Sequence, residues 1–236
     1  MKESETMQDV ILYHGSRGGI EGGIKPVSRE RCDFGKGFYL GENSMQVKGL
    51  VAGDAAPVFY EVKLKLSEIP ENRILRLEGM DWIYTVLANR KKCEEFNKLD
   101  VAKKWRKKMN SYDVIVGPIA DDRMNMAIQR FSEYVLTDKG LEQCLKSVEY
   151  GMQYVLKTEY ACSKVEILSS HDLNDKEIDE ADVYSRNMRI KCKDIVRDVS
   201  ILYRNDGEYL DQIVKKEFLK RQIYLYILLR IHYAQW

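Results

Sequence analysis

The feature that most constrains the fold is the order in which strand-like and helix-like runs succeed one another along the 236 residues, an irregular order without a βαβ repeat. In "PVFYEVKLKL", Val58, Tyr60, Val62, Leu64 and Leu66 recur at every second position, the pattern of a strand with one buried face. Val10 to Tyr13 is a shorter apolar run leading into the turn-rich "GSRGGIEGG", and "GKGFYLG" is a second short strand bounded by glycines. "SMQVKGLVAGDA" predicts a small helix with Ser44 as its N-cap. "MDWIYTVLANRKKCEEFNKL" sets Trp82, Ile83, Val86 and Leu87 at helical spacing with charges opposite. "YDVIVGPIADDRMNMAIQRF" reads as strand, Gly-Pro turn and helix, and Asp121 or Asp122 suits the helix N-terminus. "GLEQCLKSVEY" is amphipathic, and "MQYVLKTEYACSKVEIL" gives a strand, a helical turn and a final apolar run. An α+β class is expected, not a doubly wound parallel sheet.

The character changes near residue 170. "HDLNDKEIDEAD" is polar, and the remainder to Trp236 is helical by pattern, with a break at Asp206-Gly207. The expected organisation is a domain over 1–170 and a helical C-terminal extension over 171–236. Apolar positions of the extension, Ile195, Val199, Leu202, Tyr203, Leu210, Ile213, Val214, Phe218 and Leu219, suit either packing on the domain or the docking of a partner.

Lys plus Arg number 38 and Asp plus Glu 37, so no global field draws the chain to nucleic acid or to an anionic membrane. "KKWRKK", Lys103 to Lys108, is a local basic stretch that reads as a solvated helix face. Cys32, Cys93, Cys144, Cys162 and Cys192 are scattered without metal-ligand or redox-pair spacing, so reduced thiols, a cytoplasmic setting and no metal are expected. "MKESETMQDV" has acids where a signal peptide needs an apolar core, and Ile223 to Ile231 is too short to span a bilayer and is interrupted by Arg230.

Chemistry concentrates in two short stretches. His14 ends a strand and faces a glycine-rich loop, a place where a side chain can meet a ligand. "CDFGKGFYLGEN", residues 32–43, crowds Asp33-Phe34-Gly35 with a lysine and two aromatics, but the other parts of a kinase site are missing upstream. "YHGS" followed by "DFGKGFYL" resembles the diphtheria-toxin-like branch of the ADP-ribosyltransferase superfamily. More closely, "LYHGS", "SRERCDFGKGFYL", "EGMDWIYTVLANR", "YDVIVGPIADDR" and "QYVLKTEYA" in this order resemble a bacterial family of that superfamily, catalogued as a domain of unknown function and often encoded beside a small partner gene.

The resemblance covers about residues 10 to 170 and implies a split β-sandwich with surrounding helices, with NAD as substrate. It implies that His14 bonds the ribose, that the backbone of Gly15 and Ser16 holds the nicotinamide amide, and that Tyr39 stacks on the nicotinamide ring. Gly35 and Gly37 would let the backbone turn and come close to the dinucleotide, and Arg29 would meet its pyrophosphate. Phe38, on the other side of the strand, belongs to the core by alternation. Gln153 stands where many relatives have a glutamate, and an amide can hold a hydroxyl but brings no charge. Asp121 and Asp122 either cap a helix or contact the ribose or the acceptor. The activity implied is mono-ADP-ribosyl transfer to a protein or nucleic-acid acceptor, in a bacterial toxin with a small antitoxin protein as partner and no membrane involvement. A silent nucleotide- or partner-binding module and an NAD hydrolase are the alternatives.

Overall fold

Short strands separated by glycine and polar turns assemble into one seven-stranded mixed sheet, in a computed structural model that describes residues 8–29, 31–90, 100–119, 122–147, 151–216 and 219. The strands are β1 (Val10–Ser16), β2 (Phe38–Gly41), β3 (Val58–Leu64), β4 (Ile74–Arg76), β5 (Val114–Pro118), β6 (Met152–Leu156) and β7 (Val165–Asp172). Their order is β4-β5-β6-β2-β1-β3-β7, with β4 and β5 parallel and the remaining neighbours antiparallel. Helices α1 (Ser44–Val51), α2 (Gly79–Arg90), α3 (Asp100–Met109), α4 (Asp122–Ser132), α5 (Asp138–Ser147), α6 (Glu159–Cys162) and α7 (Asp175–Leu202) complete the fold, with a helical stretch over 210–216 after them. The class is α+β.

The sheet nearly parts in its middle. β1 pairs with β3 at every residue from Val10 to Ser16, and β2 pairs with β6 from Phe38 to Gly41. Between β1 and β2 a single pair, Tyr13 with Gly41, joins the halves.

Each face of the sheet has its own core. The alternation of β3 is realised: Tyr60, Val62, Leu64 and, beyond the strand, Leu66 are buried with Leu12, Phe38, Leu40, Val116 and Leu156, drawn from both halves. On the other face Phe34, Ile115 and Val155 meet Trp82, Ile83, Val86 and Leu87 of α2. Those four helix residues are fully buried, and each contributes about 1.5–3 kcal/mol of transfer free energy. A smaller cluster of Val47, Val51, Phe59 and Leu173 seats α1 over β1 and β3.

Several local expectations are corrected. The N-cap of α1 is Asn43, whose side chain accepts from the Gln46 N–H at 3.0 Å, and Ser44 is the first helical residue. Gly117 and Pro118 close β5 and do not form a turn after it. The run after α6 is the edge strand β7, and most of it is exposed, including Ile167 and Leu168.

Residues 171 and 172 belong to β7, and α7 begins at a capping box in which Asn174 and Glu177 satisfy each other's backbone N–H groups. Cys192, Val196 and Val199 of α7, with Leu210 and Val214, share the α2 core, while Leu202 and Leu219 are exposed. Part of the apolar set of residues 171–236 is therefore buried against the rest of the fold. Phe218, Cys93 and Ile223 to Ile231 lie outside the described residues. No described helix is long and apolar enough to cross a membrane.

Candidate functional site

Where β1 and β2 part, a cleft of about 100 Å3 opens. Its floor is Tyr13, His14 and Gly15 of β1 with Tyr39, Leu40 and Gly41 of β2. Val47 and Leu50 of α1 form one wall, and Ile119 and Gln153 another. Glycine is needed at two floor positions because α1 rests on them: a Cβ at Gly41 would lie 2.7 Å from Val47 Cγ2, and one at Gly15 would lie 3.0 Å from both Val51 methyls. The volume suits one ring-sized end of a ligand, since whole small-molecule sites run to roughly 300–1,000 Å3.

His14 is fixed by two consecutive residues of β2. Its Nδ1–H donates to the Tyr39 carbonyl at 2.8 Å, and its ring stacks on Phe38 with centroids 4.3 Å apart. A carbonyl can only accept, so this bond assigns the proton to Nδ1. Burial lowers the His14 pKa, outweighing the backbone bond that would raise it. The neutral ring leaves Nε2 as an acceptor.

Tyr39 is held through its hydroxyl, which donates to the Gly35 carbonyl at 2.6 Å and accepts from the Phe34 N–H at 3.0 Å. Gly35 takes a φ of +75°, the left-handed conformation that makes this turn possible. Strand alternation puts the Tyr39 ring on the sheet face opposite Phe38, and Phe38 lies in the core as the sequence suggested.

Gln153 is buried, 5% exposed. Its Nε2 donates to Asp33 Oδ2 at 3.1 Å and to the Pro118 carbonyl at 2.9 Å. Asp33, 7% exposed, is a site-adjacent acid that sequence reasoning did not assign to the site. The 33–35 turn is fastened from further directions: Asn89 Nδ2 donates to the Asp33 carbonyl at 3.1 Å and Lys157 Nζ to the Phe34 carbonyl at 2.7 Å. Burial pulls the Lys157 pKa down to about 8. The only sequence signal for this hub is the crowding of 32–43 itself, because Asn89, Gln153 and Lys157 stand more than fifty positions away.

The other expected site residues take the following places. Ser16 lies at the end of β1 and its hydroxyl donates to the Gly19 carbonyl at 2.7 Å. Arg29 is exposed in the loop before β2 and does not line the cleft. The close approach at Gly37 is to β6: a Cβ there would lie 2.5 Å from Val155 Cγ1 and 3.0 Å from the Leu156 carbonyl. Asp122 is the first residue of α4. Asp121 lies outside the described residues.

The wall formed by α1 is backed by α7. Gly49 abuts Ser185, Asn43 Nδ2 donates to the Tyr184 hydroxyl at 3.1 Å, and Lys48 Nζ bonds Glu177 Oε1 at 2.7 Å. His171 Nε2 reaches the same Glu177 oxygen at 3.0 Å. These bonds hold the Glu177 pKa down at about 2, the Lys48 hydrogen bond contributing most.

Neither the curated proteins nor the solved structures yield a match to this chain. Residues 10–167, more than half of its length and containing the whole cleft, match the family described as protein of unknown function (DUF3990), and the chain belongs to that family.

Proposed function

We propose that this protein cleaves NAD at the bond between nicotinamide and ribose and transfers single ADP-ribose groups to a protein or nucleic-acid acceptor. The observation that carries the reading is one small cleft lined by both His14 and Tyr39, in which the Tyr39 carbonyl orients a neutral imidazole and the Tyr39 ring is anchored through its hydroxyl. Cleavage of the C1′–N1 bond sends its electron pair to the departing nicotinamide ring, which becomes neutral, and leaves a cation at C1′. The acceptor nucleophile forms the new bond to C1′ and its proton goes to solvent. Such a reaction is served by holding the planar ring and the ribose in register and by a dry site whose polar groups are already oriented. Tyr39 supplies the flat surface and His14 Nε2 accepts from a ribose hydroxyl, while the rest of the dinucleotide lies outside the cleft.

The biological setting that fits this activity is a cytoplasmic bacterial toxin restrained by a small antitoxin protein. A second reading, NAD binding or hydrolysis without transfer, is favoured by the amide at Gln153, where a carboxylate would stabilise the cation more.

The test is incubation of the purified protein with NAD labelled on its adenylate side in cell lysate, divided between protease and nuclease treatment. Label entering a macromolecule, and lost with both His14→Ala and Tyr39→Ala, is the expected result. Free ADP-ribose alone would turn the reading to hydrolysis, and intact NAD would remove the enzymatic reading.

A further inference from the structure

Resting on the reading of the cleft as a nicotinamide–ribose site, we propose that Asp33 is a positioning residue that locks the Gln153 amide so that its Oε1 accepts a hydroxyl of the substrate ribose. A glutamine amide has two N–H donors and one carbonyl acceptor. Both donors of Gln153 are committed, one to Asp33 Oδ2 and one to the Pro118 carbonyl. Each partner offers an oxygen acceptor, so the amide cannot flip without setting oxygen against oxygen at two positions. The group remaining to Gln153, which lines the cleft, is Oε1.

Asp33 also supplies what the amide lacks. Both side chains are buried, and in such surroundings a carboxylate polarises the amide it accepts from, strengthening the carbonyl at its other end as an acceptor. Negative charge then stands behind the amide while positive charge develops at C1′. Asp33 does not line the cleft and acts through Gln153. The turn that carries it also binds the Tyr39 hydroxyl through Phe34 N–H and the Gly35 carbonyl. One turn thus sets both the amide and the aromatic ring.

The arrangement reverses a simple expectation about substitution. Replacing Gln153 with glutamate puts a second carboxylate against Asp33 Oδ2, so the acid in that position is harmful while Asp33 stays. Asp33→Asn combined with Gln153→Glu restores a donor facing an acceptor. The Pro118 carbonyl loses its Gln153 donor in both glutamate variants, so comparing these two isolates the Asp33 contact.

The experiment measures kcat and KM for NAD cleavage, together with Tm, for the full chain and for Asp33→Asn, Gln153→Glu and the double variant. Asp33→Asn is expected to lower kcat by about 10- to 100-fold with a much smaller change in KM, less than the roughly 100- to 1,000-fold seen when an oriented polar group is itself removed from a developing charge, because Asp33 acts through Gln153. The double variant is expected to exceed Gln153→Glu alone in kcat by about tenfold, a non-additivity that residues merely supporting the fold independently would not show. A double variant no more active than Gln153→Glu, or an Asp33→Asn enzyme of unchanged kcat, overturns the proposal. If the unmodified protein leaves NAD intact, the NAD reading and the catalytic half of this proposal fall together. Tm then decides the pairing: rescue of Gln153→Glu by Asp33→Asn upholds the lock on the amide, and additive losses overturn it.

Discussion

The Nδ1–H of His14 and the backbone carbonyl of Tyr39 meet at 2.8 Å across the place where the sheet nearly parts. This one bond fixes the histidine tautomer and ties together the strands that frame the cleft. It also gives His14 a defined response to acid. Burial lowers its folded-state pKa below the ordinary 6.5, so above pH 6.5 both the folded and the unfolded chains hold it neutral. As pH falls below 6.5 the unfolded state takes up a proton that the folded state resists, and stability declines through that window. Urea midpoints measured between pH 7.5 and 5 are expected to fall more steeply for the unmodified protein than for His14→Gln; parallel profiles would contradict the buried neutral ring.

Removing only the hydroxyl of Tyr39 separates its ring from its anchor. Tyr39→Phe keeps the flat surface but strands the Phe34 N–H and the Gly35 carbonyl, and each lost partner costs roughly 1–3 kcal/mol where water cannot replace it. Chemical denaturation is expected to show a loss in this range, with NAD binding retained more fully than in Tyr39→Ala. Equal binding losses in the two variants would remove the ring from the proposed recognition.

Gly37 offers a purely steric test. The methyl group of Gly37→Ala would sit 2.5 Å from Val155 Cγ1 and 3.0 Å from the Leu156 carbonyl, so β2 and β6 must shift apart or Val155 must move. Overpacking of this kind costs about 1–3 kcal/mol, and a lowered Tm is the expected readout. A Tm within experimental error of the unmodified protein would show that β6 yields freely.

The cap of α7 makes a separate prediction. The Glu177 pKa is held near 2 chiefly by Lys48, so its contribution is complete above the ordinary 4.5 and is lost as pH falls from there toward 2. Glu177→Gln is expected to cost about 1–3 kcal/mol at pH 7, more than a fully exposed ion pair contributes, because the Lys48 and Glu177 side chains are each only 17% exposed. The gap in stability between the two proteins should close as pH falls from about 4.5; a gap independent of pH would place the contribution outside the ion pair.

How much of this was legible in the sequence depended on distance along the chain. The alternation of β3 and the helical spacing of Trp82, Ile83, Val86 and Leu87 are local periodicities, and both are realised. The cap of α1 shifted by one residue to Asn43 because Asn and Ser are both competent caps and only the direction of the entering chain chooses between them. Nothing local distinguished β7 as an edge strand, since its exposure stems from its place beside β3 and not from its own residues. The sequence points to His14 and Tyr39 together, and the structure joins the His14 ring to the Tyr39 backbone carbonyl. The sequence points to Gln153 but not to its partner, because Asp33 stands 120 positions earlier and reaches it only through the order of strands in the sheet. The sequence suggests closeness to a ligand at Gly37, whereas its closeness is to a neighbouring strand.

The single pair between β1 and β2 also bears on how the molecule unfolds. A backbone ladder normally makes neighbouring strands open together, but here the ladder is nearly interrupted, and the halves depend on side-chain contacts to report each other's state. A molecule seated in the cleft would touch both β1 and β2, so its binding would fasten the two halves into one cooperative unit. Amide hydrogen exchange would then slow in β3 and β6 alike, on strands that the bound molecule need never reach directly.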